Sequence, residues 1–96
     1  MRAYVLGQIE VSDPEAFTQY RERVKATIEA HGGRYLVRGG AMTKMEGDWP
    51  YPRAVVIEFP SRQAAETWYR SPGYAALIGL RQRASRTNLV IVDGVD

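Results

Sequence analysis

Four strand-like runs and two helix-like stretches, in the order β-α-β-β-α-β, predict an α+β fold of the ferredoxin-like kind. Its usual form is a four-stranded antiparallel sheet with both helices on one face. The third observation is size: the chain has 96 residues, enough for one domain over residues 1–96 with one modest core.

The first strand is read over residues 3–9. Ala3, Val5, Gly7 and Ile9 share one face, and Tyr4, Leu6 and Gln8 share the other. Two nearly apolar faces suggest a strand covered on both sides. Ser12-Asp13-Pro14-Glu15 starts a helix in one of two ways. Either Asp13 caps with Pro14 in the first turn, or Ser12 forms a capping box with Glu15. Phe17, Tyr20, Val24 and Ile28 then recur at helical spacing, and Gly32-Gly33 ends the helix, placed over 13–31. Residues 34–38 read as the second strand, interrupted by Gly39-Gly40 and resumed over 41–46 after a bulge or bend. The segment 47–52, with Trp49 before its two prolines and Tyr51 between them, reads as a turn whose aromatics suit a dimer contact. Residues 54–59 form the clearest strand. Val55, Ile57 and Phe59 point one way; Ala54, Val56 and Glu58 point the other.

Ser61 is read as the cap of the next helix, with Ala64, Ala65 and Trp68 inward. Ser71-Pro72 breaks it and caps a new turn, after which Tyr74, Leu77, Ile78 and Arg81 continue at helical spacing. Residues 89–92 close the sheet. The face without helices carries apolar residues and needs a cover. Two-fold stacking of two copies supplies one, so a homodimer through the sheet faces is expected.

Composition removes most chemistries. No cysteine excludes thiolate nucleophiles, zinc–thiolate sites and iron–sulfur clusters, and the single histidine, His31, excludes a two-histidine metal site within one chain. No metal and no cofactor are expected. A net charge of +2 is no electrostatic footprint for nucleic acid. The outward positions of residues 54–59 also lack the aromatic stacking platform of RNA-recognition domains. No apolar run approaches a membrane span, so cytoplasmic residence is the default.

Any chemistry rests on a few polar groups. Glu58, in an apolar strand, is either an acid or base or the partner of an arginine such as Arg38. His31 is either a favourable charge at a helix end or a proton shuttle. Arg38 and Arg81 can each bind a carboxylate by a planar fork or pair structurally. Tyr20, Trp68, Tyr69 and Tyr74 can wall a pocket or fill the core. Ser71 reads as a cap beside that aromatic cluster, with no nucleophile signature around it.

The run Arg38-Gly39-Gly40, Glu46-Gly47, Arg53, 55–61, Trp68-Tyr69, Ser71-Pro72, Tyr74 and Arg81, with Tyr20 and Gly32-Gly33, is similar to one bacterial family. It resembles domain-of-unknown-function family 1330, of the dimeric α/β-barrel superfamily, across essentially the whole chain. The resemblance implies a ferredoxin-like protomer and a dimer whose two sheets close into a barrel. It supplies no reaction. Gly73 stands where family members often carry an acidic residue.

The leading expectation is a homodimer with a pocket between sheet and helices for a small anionic or aromatic metabolite. Arg38 and Arg81 would neutralise it, Tyr20, Trp68 and Tyr74 would wall it with Ser71 beside them, and Glu58 or His31 would handle protons. The alternatives are a non-catalytic structural dimer and a cofactor-free monooxygenase or isomerase. The last needs a chamber of about 300 Å³ or more.

Overall fold

Asp13 settles the first helix boundary: its carboxylate accepts from the Ala16 amide at 3.2 Å, and Pro14 opens the helix. The computed structural model describes residues 1–95. Along the chain it has β1 (Ala3–Val11), α1 (Pro14–Glu29), β2 (Arg34–Arg38), β3 (Arg53–Phe59), α2 (Arg62–Arg70), α3 (Pro72–Ala84) and β4 (Ser85–Asp93). The sheet order is β2-β3-β1-β4, and every neighbouring pair is antiparallel.

The two-residue periodicity of the strands decides what the sheet covers. Ala3, Val5, Ile9, Ile57 and Phe59 face the helices and are buried. From α1, Phe17, Tyr20, Val24 and Ile28 complete this core as one helical stripe. Trp68 and Tyr74 lie at its centre, 1% and 0% exposed, with ring centroids 4.1 Å apart. Each such large side chain stabilises the fold by roughly 1.5–3 kcal/mol through burial alone. The Trp68 indole donates to Thr27 Oγ1 at 3.0 Å, so its one polar atom is satisfied.

Ser71 divides the second helical stretch. Its hydroxyl donates to the Trp68 carbonyl at the end of α2 and accepts from the Tyr74 amide at the start of α3. Pro72, without an amide hydrogen, would break α2 but suits the first turn of α3. Gly33 is the close approach after α1: a Cβ there would lie 2.6 Å from the Phe59 ring and 2.7 Å from the Ile28 side chain.

Two expectations are corrected. Residues 41–46 do not resume a strand. Gly39 turns the chain at φ +71°, and the exposed segment that follows has no ladder partner. The barrel is also corrected: the sheet is open and not closed into a barrel. β2 pairs only with β3 and β4 only with β1, so both outer strands end the hydrogen-bonded ladder. β2 is short and bulged at Leu36, where its register against β3 shifts. The last strand is longer than the apolar run 89–92: residues 85–88 also pair with β1, with Ser85 buried and Arg86 and Asn88 exposed.

The face without helices exposes Leu6, Val37, Val90 and Val92. Trp49, from the connection between β2 and β3, helps line a shallow groove there with Leu6, Val56 and Val90. Among the described residues, no helix is long and apolar enough to cross a membrane.

Candidate functional site

The inner face of the sheet and the underside of α1 and α3 leave a cleft of about 40 Å³. Four arginines line it: Arg21 from α1, Arg38 from β2, Arg53 from β3 and Arg81 from α3. Among the described residues no aspartate or glutamate lines it, and none of the four arginines makes an ion pair.

Arg81 is the deepest of them, 6% exposed. It falls on the buried stripe of α3, one turn beyond Leu77 and two beyond Tyr74. Its Nη1 donates to the Tyr74 hydroxyl at 2.8 Å, and its Nε is buried with no hydrogen-bond partner. A buried unpaired donor costs about 1–3 kcal/mol, more when charged, so such groups are rare in cores that serve packing alone. The guanidinium is nevertheless held charged. Burial works against its charge, and the Tyr74, Tyr20 and Tyr69 hydroxyls outweigh that effect and push its pKa up.

The Tyr20 and Tyr74 hydroxyls share a hydrogen bond of 2.8 Å. Burial raises the pKa of both phenols. For Tyr20 the neighbouring Tyr74 adds to the rise, while for Tyr74 the Arg81 charge opposes it. Both are therefore neutral near pH 7, and Arg81 faces two neutral hydroxyls rather than a counter-charge.

The other arginines sit nearer the mouth. Arg38 Nη2 donates to the Arg21 carbonyl at 2.7 Å, and its guanidinium lies 4.4 Å from the Tyr35 ring centroid. Arg53 lies 5.7 Å from the Phe17 ring centroid. Both distances are within reach of cation–π attraction, which holds a charge in place without neutralising it.

The structure brings five of the residues singled out in the sequence to one cleft: Tyr20, Arg38, Trp68, Tyr74 and Arg81. It does not bring in Glu58, His31 or Ser71. Glu58 points to the opposite face of the sheet, where it accepts from Arg34 Nε at 3.0 Å and from the Tyr4 hydroxyl at 3.3 Å. Arg2 stands 3.7 Å away, so the arginines facing Glu58 are Arg34 and Arg2 rather than Arg38. His31 lies partly exposed in the turn after α1. Ser71 spends its hydroxyl on capping.

Three residues of the cleft were not singled out: Arg21, Tyr35 and Arg53. Arg53 could have been found, because alternation puts it on the same face as Val55, Ile57 and Phe59. Tyr35 follows from the same rule in β2. Arg21 follows from helical spacing, since it lies four residues after Phe17 and three before Val24, on the flank of the apolar stripe of α1.

The sequence model of a family described as a domain of unknown function, DUF1330, matches residues 2–95. A protein of unknown function from Rhodopseudomonas palustris, RPA0582, has a TM-score of 0.76 at 20% identity, covering 99% of this chain and 83% of its own. SnoaB, a cofactor-independent oxygenase from Streptomyces nogalater, has a TM-score of 0.64 at 13% identity, covering 99% and 94%. A dimeric ferredoxin-like protein of unknown function from Jannaschia sp. CCS1 has a TM-score of 0.66 at 16% identity, covering 98% and 100%. At these identities the likeness shows the fold alone. No curated protein matches the chain.

Proposed function

The chain belongs to the DUF1330 family, and on that footing we propose that it binds a small anionic metabolite in the cleft between sheet and helices, as a homodimer. The observation that carries the binding reading is the convergence of Arg21, Arg38, Arg53 and Arg81 on one cleft that no carboxylate of the described residues lines. Like charges gathered in a partly buried space repel each other, and an anion relieves that repulsion. Aromatic walls from Tyr20, Trp68 and Tyr74 suit the apolar part of such a ligand.

Self-association through the helix-free face is supported by its apolar residues, Leu6, Val37, Val90 and Val92. It is supported too by the dimeric state of the Jannaschia protein. The pairing of Glu58 with exposed arginines on that same face favours a holding role for it over proton transfer. SnoaB is an oxygenase, but at 13% identity the likeness carries only the fold and lends that alternative no support.

The test is a thermal-shift titration of the full chain with citrate, salicylate, benzoate and phosphate, alongside the variants Arg38→Gln and Arg53→Gln. A ligand at ten times its Kd adds about 1.4 kcal/mol, which raises the Tm of so small a domain by several degrees. The variants should lose most of that rise. No rise with any anion, or the same rise in both variants, ends the reading. Sedimentation velocity at micromolar concentration checks the dimer, and a monomer there rejects it.

A further inference from the structure

This inference rests on the anion-binding reading and names the chemical group that the inner end of the cleft takes. Arg81 donates through Nη1 to the Tyr74 oxygen, and its Nε–H has no partner. Nε and Nη2 lie along one edge of a guanidinium, with their N–H bonds parallel, and that edge matches the two oxygens of a planar carboxylate.

Tyr20 and Tyr74 have two hydroxyl hydrogens between them, and their mutual bond uses one. Because Arg81 donates to the pair and accepts nothing, the second hydroxyl hydrogen is left over whichever tyrosine holds it. Tyr69, whose hydroxyl also stands by Arg81, does not line the cleft, so the groups that do, Arg81 and the tyrosine pair, offer a charged N–H edge and one O–H, all donors.

The donor set makes the choice among anions. A tetrahedral dianion would leave oxygens without donors, since one guanidinium edge and one hydroxyl serve only two oxygens well.

We infer that Arg81, with the spare hydroxyl of the Tyr20–Tyr74 pair, forms a carboxylate-binding site, and that the ligand is a monocarboxylate whose body extends toward Arg38 and Arg53 at the mouth.

The experiment is a chemical-shift titration of the ¹⁵N-labelled full chain, followed at the Arg81 Nε–H resonance. The probes are acetate, benzoate, the neutral isostere benzamide, phosphate and sulfate, at constant ionic strength. Acetate and benzoate should shift the resonance saturably, and benzamide, phosphate and sulfate should not. Arg81→Lys keeps the charge and loses the planar edge, so benzoate should bind about tenfold or more weaker. The double variant Tyr20→Phe/Tyr74→Phe keeps both rings and removes both hydroxyl hydrogens, so benzoate should bind several-fold weaker, which retains a variant test should Arg81→Lys fail to fold. Phosphate or sulfate binding as tightly as benzoate at this resonance overturns the carboxylate assignment while the anion reading stands. Benzamide binding as tightly as benzoate, or unchanged benzoate affinity in both variants, also overturns it. Saturation by none of the anions overturns both.

Discussion

Arg81→Met should leave the protein about as stable as before. The substitution removes one charge-assisted hydrogen bond, from Nη1 to the Tyr74 hydroxyl at 2.8 Å. Such a bond contributes about 1.5–3 kcal/mol. Its loss does not strand Tyr74, whose hydroxyl keeps its bond to Tyr20. The same change removes the buried Nε, whose lack of a partner costs about 1–3 kcal/mol. Met retains an unbranched apolar stem in the same space. The two contributions nearly cancel, and the net change should lie within about 2 kcal/mol of zero. A buried arginine that held the fold through a paired charge would instead cost about 3–5 kcal/mol on removal. Urea unfolding of both proteins at one protein concentration, without added carboxylates, separates the two cases. A loss of about 3 kcal/mol or more would refute the view that Arg81 is kept for a ligand rather than for the core.

Further outcomes follow from other contacts. Glu58→Gln should cost about 1 kcal/mol or less in urea unfolding, because its arginine partners, Arg34 and Arg2, are two-thirds exposed. Gly33→Ala should cost about 1–3 kcal/mol by overpacking against the Phe59 ring and Ile28, measured the same way. Alkaline pH should destabilise the fold. Unfolded tyrosines ionise near pH 10.0, whereas burial holds Tyr20 and Tyr74 protonated above it. The native state then binds more protons, so this stability is complete below pH 10 and is lost as pH rises beyond it. The slope is about 1.4 kcal/mol per pH unit for each such tyrosine. Phenolate absorbance of these two residues should appear only with unfolding, and their ionisation in the intact fold would contradict it.

Much of this architecture is legible because local chemistry and tertiary packing agree. Asp13-Pro14 and Ser71-Pro72 are starts that a helix needs wherever it packs, and Ser61 caps α2 by accepting from the Ala64 amide at 3.0 Å. The inner residues of α1, β2 and α3 can be listed from periodicity, and inner residues of neighbouring elements must converge. That is why Tyr20, Arg38, Tyr74 and Arg81 could be grouped beforehand. What could not be read depends on pairing at a distance. Residues 41–46 have a strand-like composition, but a strand exists only where another strand offers a ladder. The partner of Glu58 is set by the register that places Arg34 opposite it. The open edges of the sheet likewise depend on which strands neighbour which.

β2 has a consequence for how the cleft exchanges its contents. It is an edge strand of 5 residues, bulged at Leu36 and bonded on one side only, yet it supplies both Tyr35 and Arg38 to the cleft wall. Edge segments with few bonds open locally at a small fraction of the global unfolding free energy. The wall can therefore come away while β1, β3 and the helices stay folded, and this gives a route by which a cleft of about 40 Å³ admits a larger molecule. A ligand spanning Arg81 and Arg38 would tie this wall to α3. Amide hydrogen exchange along β2 would then slow by the factor 1 + [L]/Kd, leaving β1 and β3 unaffected by this local route. The weakest strand of the sheet thus becomes the most sensitive reporter of occupancy.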